Sequence, residues 1–467
     1  MRKSSATPAG TTRPEPDGIN HIPDSRRHGR ARDQFSMRFS PVVYLAPVVL
    51  GGVGAPLGLG LTGSISAILA GNALGALATA LCAIMGPRLG MPQITMSRSA
   101  FGYHGNYIPA ALGIMLFVGY YSIGVVLGAR SMDGLVGLPY TPAAILVAAL
   151  SIVIAIFGYN LLQVLGRWLT YLSLAVFLTI TVMLLTHRTG YALPAASGGG
   201  GLHAWLIVCT IVFSYTVSWS IYASDYSRYL PASSSYRRMF GFAFGGIFTA
   251  TSWMMIMGAG LAMLVPDGSP LAGFAVVLPT PVLKITLATF VIGALAHNAV
   301  NLYSGAMAAL TCDLPASRSS VVVAGGTIGC LLAVVFGGPD FQAHFNTFLL
   351  LVSYFVMPWL AVLFIDFYWR HSAGRTYASI AAFYDAKGPF RGIRTAALTA
   401  FAAGLLASAP FMATDAYTGP LGRALGGIDV SYGASFLVAA AVYWTVLGAA
   451  RRRLPSPHAT VPRSLAR

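Results

Sequence analysis

Long apolar runs, separated by short polar connections, dominate this sequence of 467 residues. Each run is about 20 residues long, the length of α-helix that crosses the roughly 30 Å hydrocarbon core of a bilayer. The pattern predicts twelve membrane-spanning helices, at residues 41–61, 65–86, 107–129, 141–158, 168–186, 204–226, 239–264, 285–308, 320–338, 346–369, 394–412 and 432–449. We therefore expect an all-α integral membrane protein.

Composition and charge agree with a membrane protein and argue against a nucleic-acid-binding protein. Hydrophobic residues make up 56% of the chain and charged residues only 9%, against about 25% charged residues in soluble proteins. The net charge of +16 would fit a nucleic-acid-binding protein, but the basic residues are dispersed over many connecting and terminal segments. With both termini in the cytoplasm, 25 of the 29 Lys and Arg residues lie on the cytoplasmic side, as the positive-inside rule requires.

The charge pattern also divides the chain. We expect a cytoplasmic N-terminal tail at residues 1–38, a twelve-helix domain at residues 39–450 and a basic cytoplasmic C-terminal tail at residues 451–467. The protein would lie in a plasma or inner membrane, with the lipid bilayer as its surroundings. Four cysteines lie in or beside apolar spans without the spacing of metal ligands, so no disulfide framework, metal or cofactor is predicted.

The sixth span is apolar at its start and polar in its second half. Four serines, a threonine, Tyr215 and Trp219 lie there, before Asp225 and Arg228. Hydroxyl groups and an indole cost free energy in hydrocarbon unless they face protein, water or a ligand. We predict that this helix breaks or becomes polar at mid-membrane and contributes to a small-molecule site. The alternative is a packed helix whose serines bond to its own carbonyl groups.

A glycine-rich stretch weakens the first span, because residues 50–60 contain five glycines and a proline. Glycine adds backbone freedom and proline removes a hydrogen-bond donor, so such a run is a poor helix. Small residues can also serve close helix packing, but the polar sixth span favours an interruption here. Weak first and sixth helices are typical of two inverted five-helix repeats with a binding site between them, which leaves spans eleven and twelve outside the repeat.

The eighth span carries His297, Asn298 and Asn301. We expect the three side chains on one helical face, because residues three and four apart are neighbours on a helix. Amides there can bind a planar heterocycle or clamp two helices together. His297 is a candidate carrier of a coupled proton, since imidazole titrates near physiological pH; a hydrogen-bonded structural histidine is the alternative.

Polar and aromatic residues also lie near the middle of the third and tenth spans. Tyr120 and Tyr121 are adjacent in the third span and form a ligand platform if they face the first and sixth spans, or core packing if they do not. Ser353 belongs to a central Ser-Tyr pair of the tenth span, where Pro358 would kink the helix. Tyr120, Tyr121 and Ser353 are therefore candidate binding residues.

Six motifs in this order resemble the nucleobase:cation symporter-1 family, and its purine and cytosine permease branch most closely. They lie at residues 28–33, 86–93, 97–105, 219–231, 298–304 and 353–359, and the resemblance extends from about Ile22 to Arg370. It implies a LeuT-like fold of twelve helices, in which the first ten form two inverted repeats with discontinuous helices one and six. It also implies a nucleobase held by Trp219, by Tyr120 as a smaller platform than the family's usual tryptophan, and by the amide of Asn301.

The resemblance bears on the coupling ion as well. Sodium-coupled transporters of this architecture supply two side-chain hydroxyls about one turn before the helix-eight amide, where this chain has Leu295 and Ala296. We therefore expect import of a purine or pyrimidine base, cytosine-like, by proton symport with alternating access.

Other functions stay open at this point. The same fold would also suit allantoin, a hydantoin or the pyrimidine precursor of thiamine, including in a sodium-coupled form. A channel would conduct without saturation, and uphill accumulation would exclude it. An enzyme is not expected, because no span has paired carboxylates or a His/Asp cluster with metal-ligand spacing.

Overall fold

The protein is almost entirely helical in the computed structural model, which describes residues 18–186, 200–265, 269–372, 379–414 and 417–452. Each of the twelve predicted spans coincides with one helix. These are α1 (Asp33–Phe39 and Leu45–Gly51), α2 (Leu61–Leu89), α3 (Tyr107–Val136), α4 (Tyr140–Phe157), α5 (Tyr159–Thr186), α6 (Gly201–Val217), α7 (Tyr236–Ala262), α8 (Thr280–Thr311), α9 (Arg318–Phe336), α10 (Phe341–Ser372), α11 (Thr395–Ser408) and α12 (Ser431–Arg452).

Length and composition support a membrane location for these helices. Within the described ranges, nine helices are long and apolar enough to cross a bilayer, or ten when the two halves of α1 count as one span. The remaining two, α11 and α12, contain shorter apolar stretches. The predicted twelve-helix membrane protein is therefore consistent with the structure.

The helix contacts show that α1–α5 and α6–α10 are packed in equivalent ways, with each helix of the first five corresponding to the helix five places later. Helix α2 packs against α6 while α7 packs against α1, and α4 packs against α8 while α9 packs against α3. Exchanging the two halves converts each of these pairs into the other, and it converts the α3/α8 and α2/α7 pairs into themselves. This is the pattern of two inverted repeats. Helices α11 and α12 pack against each other and against α10, outside the repeat.

Helix α1 is interrupted, but not where the sequence analysis placed the break. Its two halves meet at Val43 and Tyr44 with a bend of 69°, and Tyr44 has an extended backbone (φ −148°, ψ −173°). Pro47 explains this position, since it has no N–H to donate to the carbonyl group of Val43 four residues earlier.

The glycine-rich stretch serves close packing, the alternative that the sequence analysis placed second. A side chain on Gly51 would overlap the backbone of Met255 in α7, and one on Gly52 would press on Pro270. The helix also begins at Asp33 rather than at residue 41, inside the predicted N-terminal tail. Gln34 and Met37 of its first turns are buried, so these turns pack within the protein and belong to the helix bundle.

Helix α6 changes conformation where its sequence becomes polar, as predicted. The α-helix ends at Val217, a 3₁₀ turn covers Ser218–Tyr222, and a further helical turn covers Ala223–Ser227. The Ser218 hydroxyl donates to the Tyr215 carbonyl (2.6 Å) and the Ser220 hydroxyl to the Val217 carbonyl. These two serines thus bond to backbone carbonyl groups, the alternative that the sequence analysis gave for the serine cluster.

The segment before α1 packs across the ends of several helices, and we name residues 19–30 the strap. Ile22 N–H donates to the Gly90 carbonyl (2.9 Å), and His28 N–H donates to the Tyr229 carbonyl (2.7 Å). Arg27 donates through Nη1 to the Pro87 carbonyl (2.5 Å). These bonds join the strap to the last turn of α2, to Gly90 just beyond it and to the chain that follows α6. We call this side of the molecule the strap side.

A histidine in the strap is held neutral. Burial, together with the charges of Arg27 and Arg26, lowers the pKa of His21 below its usual value. The neutral ring can accept a hydrogen bond at Nε2 from Arg27 Nη2, which lies 3.1 Å away. The His21 ring therefore stabilises the side chain that ties the strap to α2.

The contact between α1 and α7 gives a stability prediction. A methyl group on Gly258 of α7 would overlap the Val48 carbonyl of α1, whereas a methyl group on Gly260 would meet nothing within 4 Å. Gly258→Ala should lower the unfolding free energy by about 1–3 kcal/mol through overpacking. Gly260→Ala, the matched control, should leave it unchanged or raise it by up to about 1 kcal/mol. Thermal unfolding in detergent measures both, and equal stabilities would contradict the close α1/α7 contact.

Candidate functional site

Five buried side chains meet where the break of α1 and the 3₁₀ turn of α6 face α3 and α8. We call them the central cluster: Tyr44 from α1, Tyr120 from α3, Tyr215 and Trp219 from α6, and His297 from α8. Each is at most 3% exposed. The two irregular backbone segments therefore bring aromatic side chains together at the centre of the helix bundle, as expected for a site between inverted repeats.

The closest contact in the central cluster joins Tyr44 to His297. The two rings stack with centroids 4.3 Å apart and planes inclined by 25°, and the Tyr44 hydroxyl lies 3.0 Å from His297 Nε2. Tyr44 was not predicted, because the glycines that follow it are a stronger sequence signal of a helix break. The signal that could have found it is its place between Pro41 and Pro47.

Three predicted residues surround this pair. The ring centroids of Tyr120 and Trp219 lie 6.3 Å and 6.0 Å from that of His297, and those of Tyr120 and Tyr215 are 6.5 Å apart. Phe348 of α10 packs edge-on against Tyr120 at 5.0 Å and was not predicted. The structure thus unites four of the candidate residues and adds Tyr44 and Phe348.

Two other candidates lie elsewhere. The Tyr121 hydroxyl donates to the Ala148 carbonyl of α4 (3.1 Å), and its ring contacts Gly329 of α9 so closely that a side chain there would overlap it. The Ser353 hydroxyl donates to the Leu350 carbonyl of its own helix (2.7 Å). Tyr121 is therefore core packing, the second interpretation given for it, and the Ser353 hydroxyl is used within its own helix.

The polar residues of α8 have different hydrogen-bond partners, but His297 and Asn298 both lie against Gly124 of α3. Asn298 donates to the Ser151 hydroxyl of α4 (3.3 Å) and lies against Gly124 of α3. Asn298 therefore borders the central cluster through its amide oxygen while its amide nitrogen bonds to α4. For Asn298 the interhelical clamp describes the geometry.

Asn301 lies one turn beyond His297, between the central cluster and a small cavity. Its amide nitrogen donates to the His297 carbonyl one turn earlier (2.9 Å). It also borders a small cavity of about 30 Å³ that Phe117 and Val118 of α3 and Gly325 of α9 help to form. Its amide oxygen is buried without a hydrogen-bond partner among the described residues.

Several buried polar atoms in and around the central cluster lack a hydrogen bond of good geometry. Among the described residues these include the hydroxyls of Tyr120 and Tyr215, Nδ1 of His297 and the amide oxygens of Asn298 and Asn301. Weaker contacts reach Tyr215 from Tyr44 and Trp219, and reach His297 from the backbone of Pro41 and Tyr120. Each unpaired buried polar group costs about 1–3 kcal/mol. Donors and acceptors left poorly paired beside aromatic faces suit a small planar ligand that offers the complementary groups.

The charge of the site restricts the ligand further. No Asp, Glu, Lys or Arg belongs to the central cluster, and an isolated charge is expensive to bury. The described residues contain no group of three or more His, Cys, Asp or Glu side chains that could hold a metal ion. The arrangement therefore fits a neutral heterocycle rather than a charged molecule or a metal complex.

Access to the cluster differs between the two sides. On the strap side, Arg38 Nη2 donates to the Ala223 carbonyl (2.9 Å) and Gln93 N–H donates to Asp225 Oδ1 (2.8 Å). On the opposite side, a cavity of about 310 Å³ reaches Leu45, the residue after Tyr44. The cluster is thus closed towards the strap, and on the other side the cavity ends at the residue next to Tyr44.

Comparisons with known proteins agree with this architecture. The family described as "Permease for cytosine/purines, uracil, thiamine, allantoin" matches residues 21–434. YxlA of Bacillus subtilis, whose name as a purine-cytosine permease is provisional, is 29% identical over 441 residues, which are 92% of this chain and 95% of YxlA. The vitamin B6 transporter TPN1 of Saccharomyces cerevisiae is 25% identical over 341 residues, which are 66% of this chain and 56% of TPN1.

A solved structure shares the fold. Mhp1, a nucleobase-cation-symport-1 family transporter in a closed conformation with bromovinylhydantoin bound, superimposes with a TM-score of 0.78 over 94% of this chain and 96% of its own, at 17% identity. The LeuT-like fold and the family resemblance inferred from the sequence are both confirmed.

The Tyr44–His297 contact gives a second prediction. Tyr44→Phe keeps the stacked ring but removes the hydroxyl that reaches His297 Nε2, so it should lower stability by about 1–3 kcal/mol. His297→Leu alone should also destabilise the protein, because it strands the Tyr44 hydroxyl. The double variant should recover part of the loss, with a coupling free energy of about 0.5–3 kcal/mol. Strictly additive thermal unfolding data for the three variants would show that the two side chains do not interact.

Proposed function

Because the chain belongs to the family of permeases for cytosine and purines, uracil, thiamine and allantoin, we propose that it imports a cytosine-like nucleobase by proton symport. The fold and the relatives make it a membrane transporter of the nucleobase/cation symporter type. The base, the ion and the direction of transport are the proposal.

The observation that carries the proposed cargo is the set of poorly paired polar atoms beside the aromatic rings of the central cluster. A nucleobase presents ring nitrogens, carbonyl oxygens and exocyclic amines along its edge, and it presents a π-face to aromatic side chains. The tyrosine hydroxyls and amide oxygens can pair with those edge groups, while Trp219 and Tyr120 supply faces for stacking. Such a ligand would offset the desolvation cost of these polar atoms.

Proton coupling is supported by the chemistry of α8. Leu295 and Ala296 provide no side-chain oxygen, and sodium requires hard oxygen ligands. His297, the next residue, belongs to the central cluster and is its titratable side chain; because an isolated charge is expensive to bury, the proposal requires the bound base or water to pair with the protonated ring. One proton moving through 100 mV supplies about 2.3 kcal/mol, and a tenfold accumulation costs about 1.4 kcal/mol. A single proton is therefore sufficient for useful accumulation.

Alternating access is supported by the unequal closure of the two sides. The strap and the Arg38, Gln93 and Asp225 hydrogen bonds close one side, while the other side has the open cavity. The positive-inside rule supports a cytoplasmic strap side, because 25 of 29 Lys and Arg would then lie in the cytoplasm. A form closed on that side would receive its cargo from outside.

A second candidate cargo is a vitamin-type heterocycle such as vitamin B6. TPN1 is named as a transporter of that vitamin and matches this chain about as well as the yeast purine-cytosine permeases do. The uncharged central cluster accepts neutral planar rings of either kind, so competition with each compound has to separate them.

Uptake of radiolabelled cytosine in cells that lack their own base permeases tests the proposed function. Uptake should saturate, rise at low external pH, remain when choline replaces sodium, and be reduced by only some of adenine, hypoxanthine, uracil, allantoin and pyridoxine. Trp219→Ala should abolish it, because the π-face is lost. Trp205→Ala, an indole on the same helix that donates to Ser66 at 2.8 Å outside the cluster, is the matched control. Competition only by pyridoxine would replace the nucleobase with the second candidate, and dependence on sodium would overturn proton coupling.

The role of His297 gives a further prediction. His297→Gln keeps a polar side chain that can meet the Tyr44 hydroxyl but cannot take up a proton at physiological pH. The variant should exchange labelled for unlabelled base across proteoliposome membranes at a rate near that of the wild type. It should fail to accumulate base when a pH gradient is imposed. Accumulation at the wild-type level would remove His297 from proton coupling and leave it a structural histidine.

A further inference from the structure

The cavity on the side opposite the strap is built from four elements. The outer half of α1 and the chain after it contribute Leu45, Val49, Gly52, Val53 and Pro56, α3 contributes Leu127 and Arg130, the chain before α8 contributes Ser269, Pro270 and Leu271, and α10 contributes Gln342 and Asn346. We call this cavity the vestibule. Its volume of about 310 Å³ lies within the range of small-molecule pockets.

The polar groups of the vestibule are held in place by the protein. Arg130 Nη2 donates to the carbonyls of Gly337 (3.1 Å) and Gly338 (3.2 Å), and its guanidinium lies over the Phe341 ring at 4.8 Å. Gln342 Nε2 donates to Asn346 Oδ1 (3.0 Å). These contacts orient the three side chains. Four of their polar atoms make no hydrogen bond among the described residues: Arg130 Nε and Nη1, Gln342 Oε1 and Asn346 Nδ2.

The remaining groups form a mixed set of donors and acceptors beside apolar walls. Arg130 and Asn346 offer N–H groups, and Gln342 offers a carbonyl oxygen. Leu45, Val49, Leu127 and Pro270 supply apolar surface. The planar guanidinium can in addition stack on a flat ring. This combination resembles that of the central cluster in chemistry, although different residues provide it.

We propose that the vestibule is a second binding site, at which a neutral planar heterocycle with carbonyl or amide groups binds before it reaches the central cluster. Arg130 and Asn346 would donate to ring carbonyl or nitrogen acceptors, and Gln342 would accept from a ring N–H or an amine. The proposal rests on the proposed function, because it assigns the same cargo to both sites.

The charges of the vestibule argue for that ligand class. Arg130 is the charged residue among those that line it, so a cation would be repelled. Its guanidinium is already paired with two carbonyl groups, and oxygen-bearing neutral rings suit the remaining N–H groups without the desolvation cost of a full anion.

The position of the vestibule argues that it lies on the path of the ligand. Leu45 forms part of its wall, and Tyr44, the preceding residue, stacks on His297 in the central cluster. A ligand leaving the vestibule towards the centre of the bundle therefore meets the α1 break first. Two sites separated by the Tyr44 backbone can be occupied at the same time.

Binding stoichiometry of the purified protein tests the proposal, with tritiated cytosine as the probe, or adenine if the uptake assay selects purines. The wild type should bind two molecules at saturation, one tightly and one weakly. Asn346→Leu, which removes the amide at nearly constant volume, should keep the tight molecule and lose the weak one. Trp219→Ala should do the reverse. His344→Leu, a change on the same helix that borders a different cavity, is the matched control and should still bind two.

Uptake at substrate concentrations well below saturation provides an independent measurement. Asn346→Leu and Gln342→Met should lower it at least threefold if the vestibule feeds the central cluster, while His344→Leu should not change it. One bound molecule in the wild type, or two in Asn346→Leu, would overturn the second site and leave the proposed function standing. Absence of nucleobase uptake and binding in the wild type would overturn both together.

Discussion

The stacking of Tyr44 on His297 is the contact on which the centre of this protein depends. A helix cannot be interrupted in hydrocarbon unless the freed polar groups and the exposed side chains find partners within the protein. At the α1 break the partner is α8, which receives the Tyr44 ring and its hydroxyl together. Because α8 runs along α3, this one contact brings the break of α1 into register with Tyr120, and the 3₁₀ turn of α6 completes the enclosure with Tyr215 and Trp219.

The outlines of this fold could be predicted from the sequence because the bilayer imposes a strong and simple constraint. A run of about 20 apolar residues has few alternatives to a spanning helix, and each of the twelve predicted spans coincides with a helix. The polar half of the sixth span likewise marked a real change of backbone conformation at Ser218.

The positions of individual side chains in the site could not be predicted from the sequence, for physical reasons that differ from residue to residue. The glycines after Leu50 are a stronger local signal of a break than Val43 and Tyr44, yet their small size is used for contact with α7. Serine hydroxyls in a helix readily bond to carbonyl groups one turn earlier, which Ser218 and Ser220 do. Asn298 follows His297 directly, and its amide nitrogen finds a partner in Ser151 of α4, which spacing along α8 alone does not predict. Sequence spacing gives the face of a helix but not the neighbour that will cover it.

The position of the break also explains how one helix can serve both sides of the membrane. The half of α1 before Tyr44 continues directly from the strap, whose bonds to Gly90, Pro87 and Tyr229 close the strap side. The half after Tyr44 forms a wall of the vestibule. In the proposed cycle, opening the strap side requires the first half to move, and that movement has to break the strap bonds and the Arg38 bond to Ala223. A ligand in the central cluster favours the position of the first half of α1 in which its own hydrogen bonds and stacking contacts are better. Binding at the centre therefore favours release on the strap side when those contacts improve as this half moves, and no direct contact between ligand and strap is required.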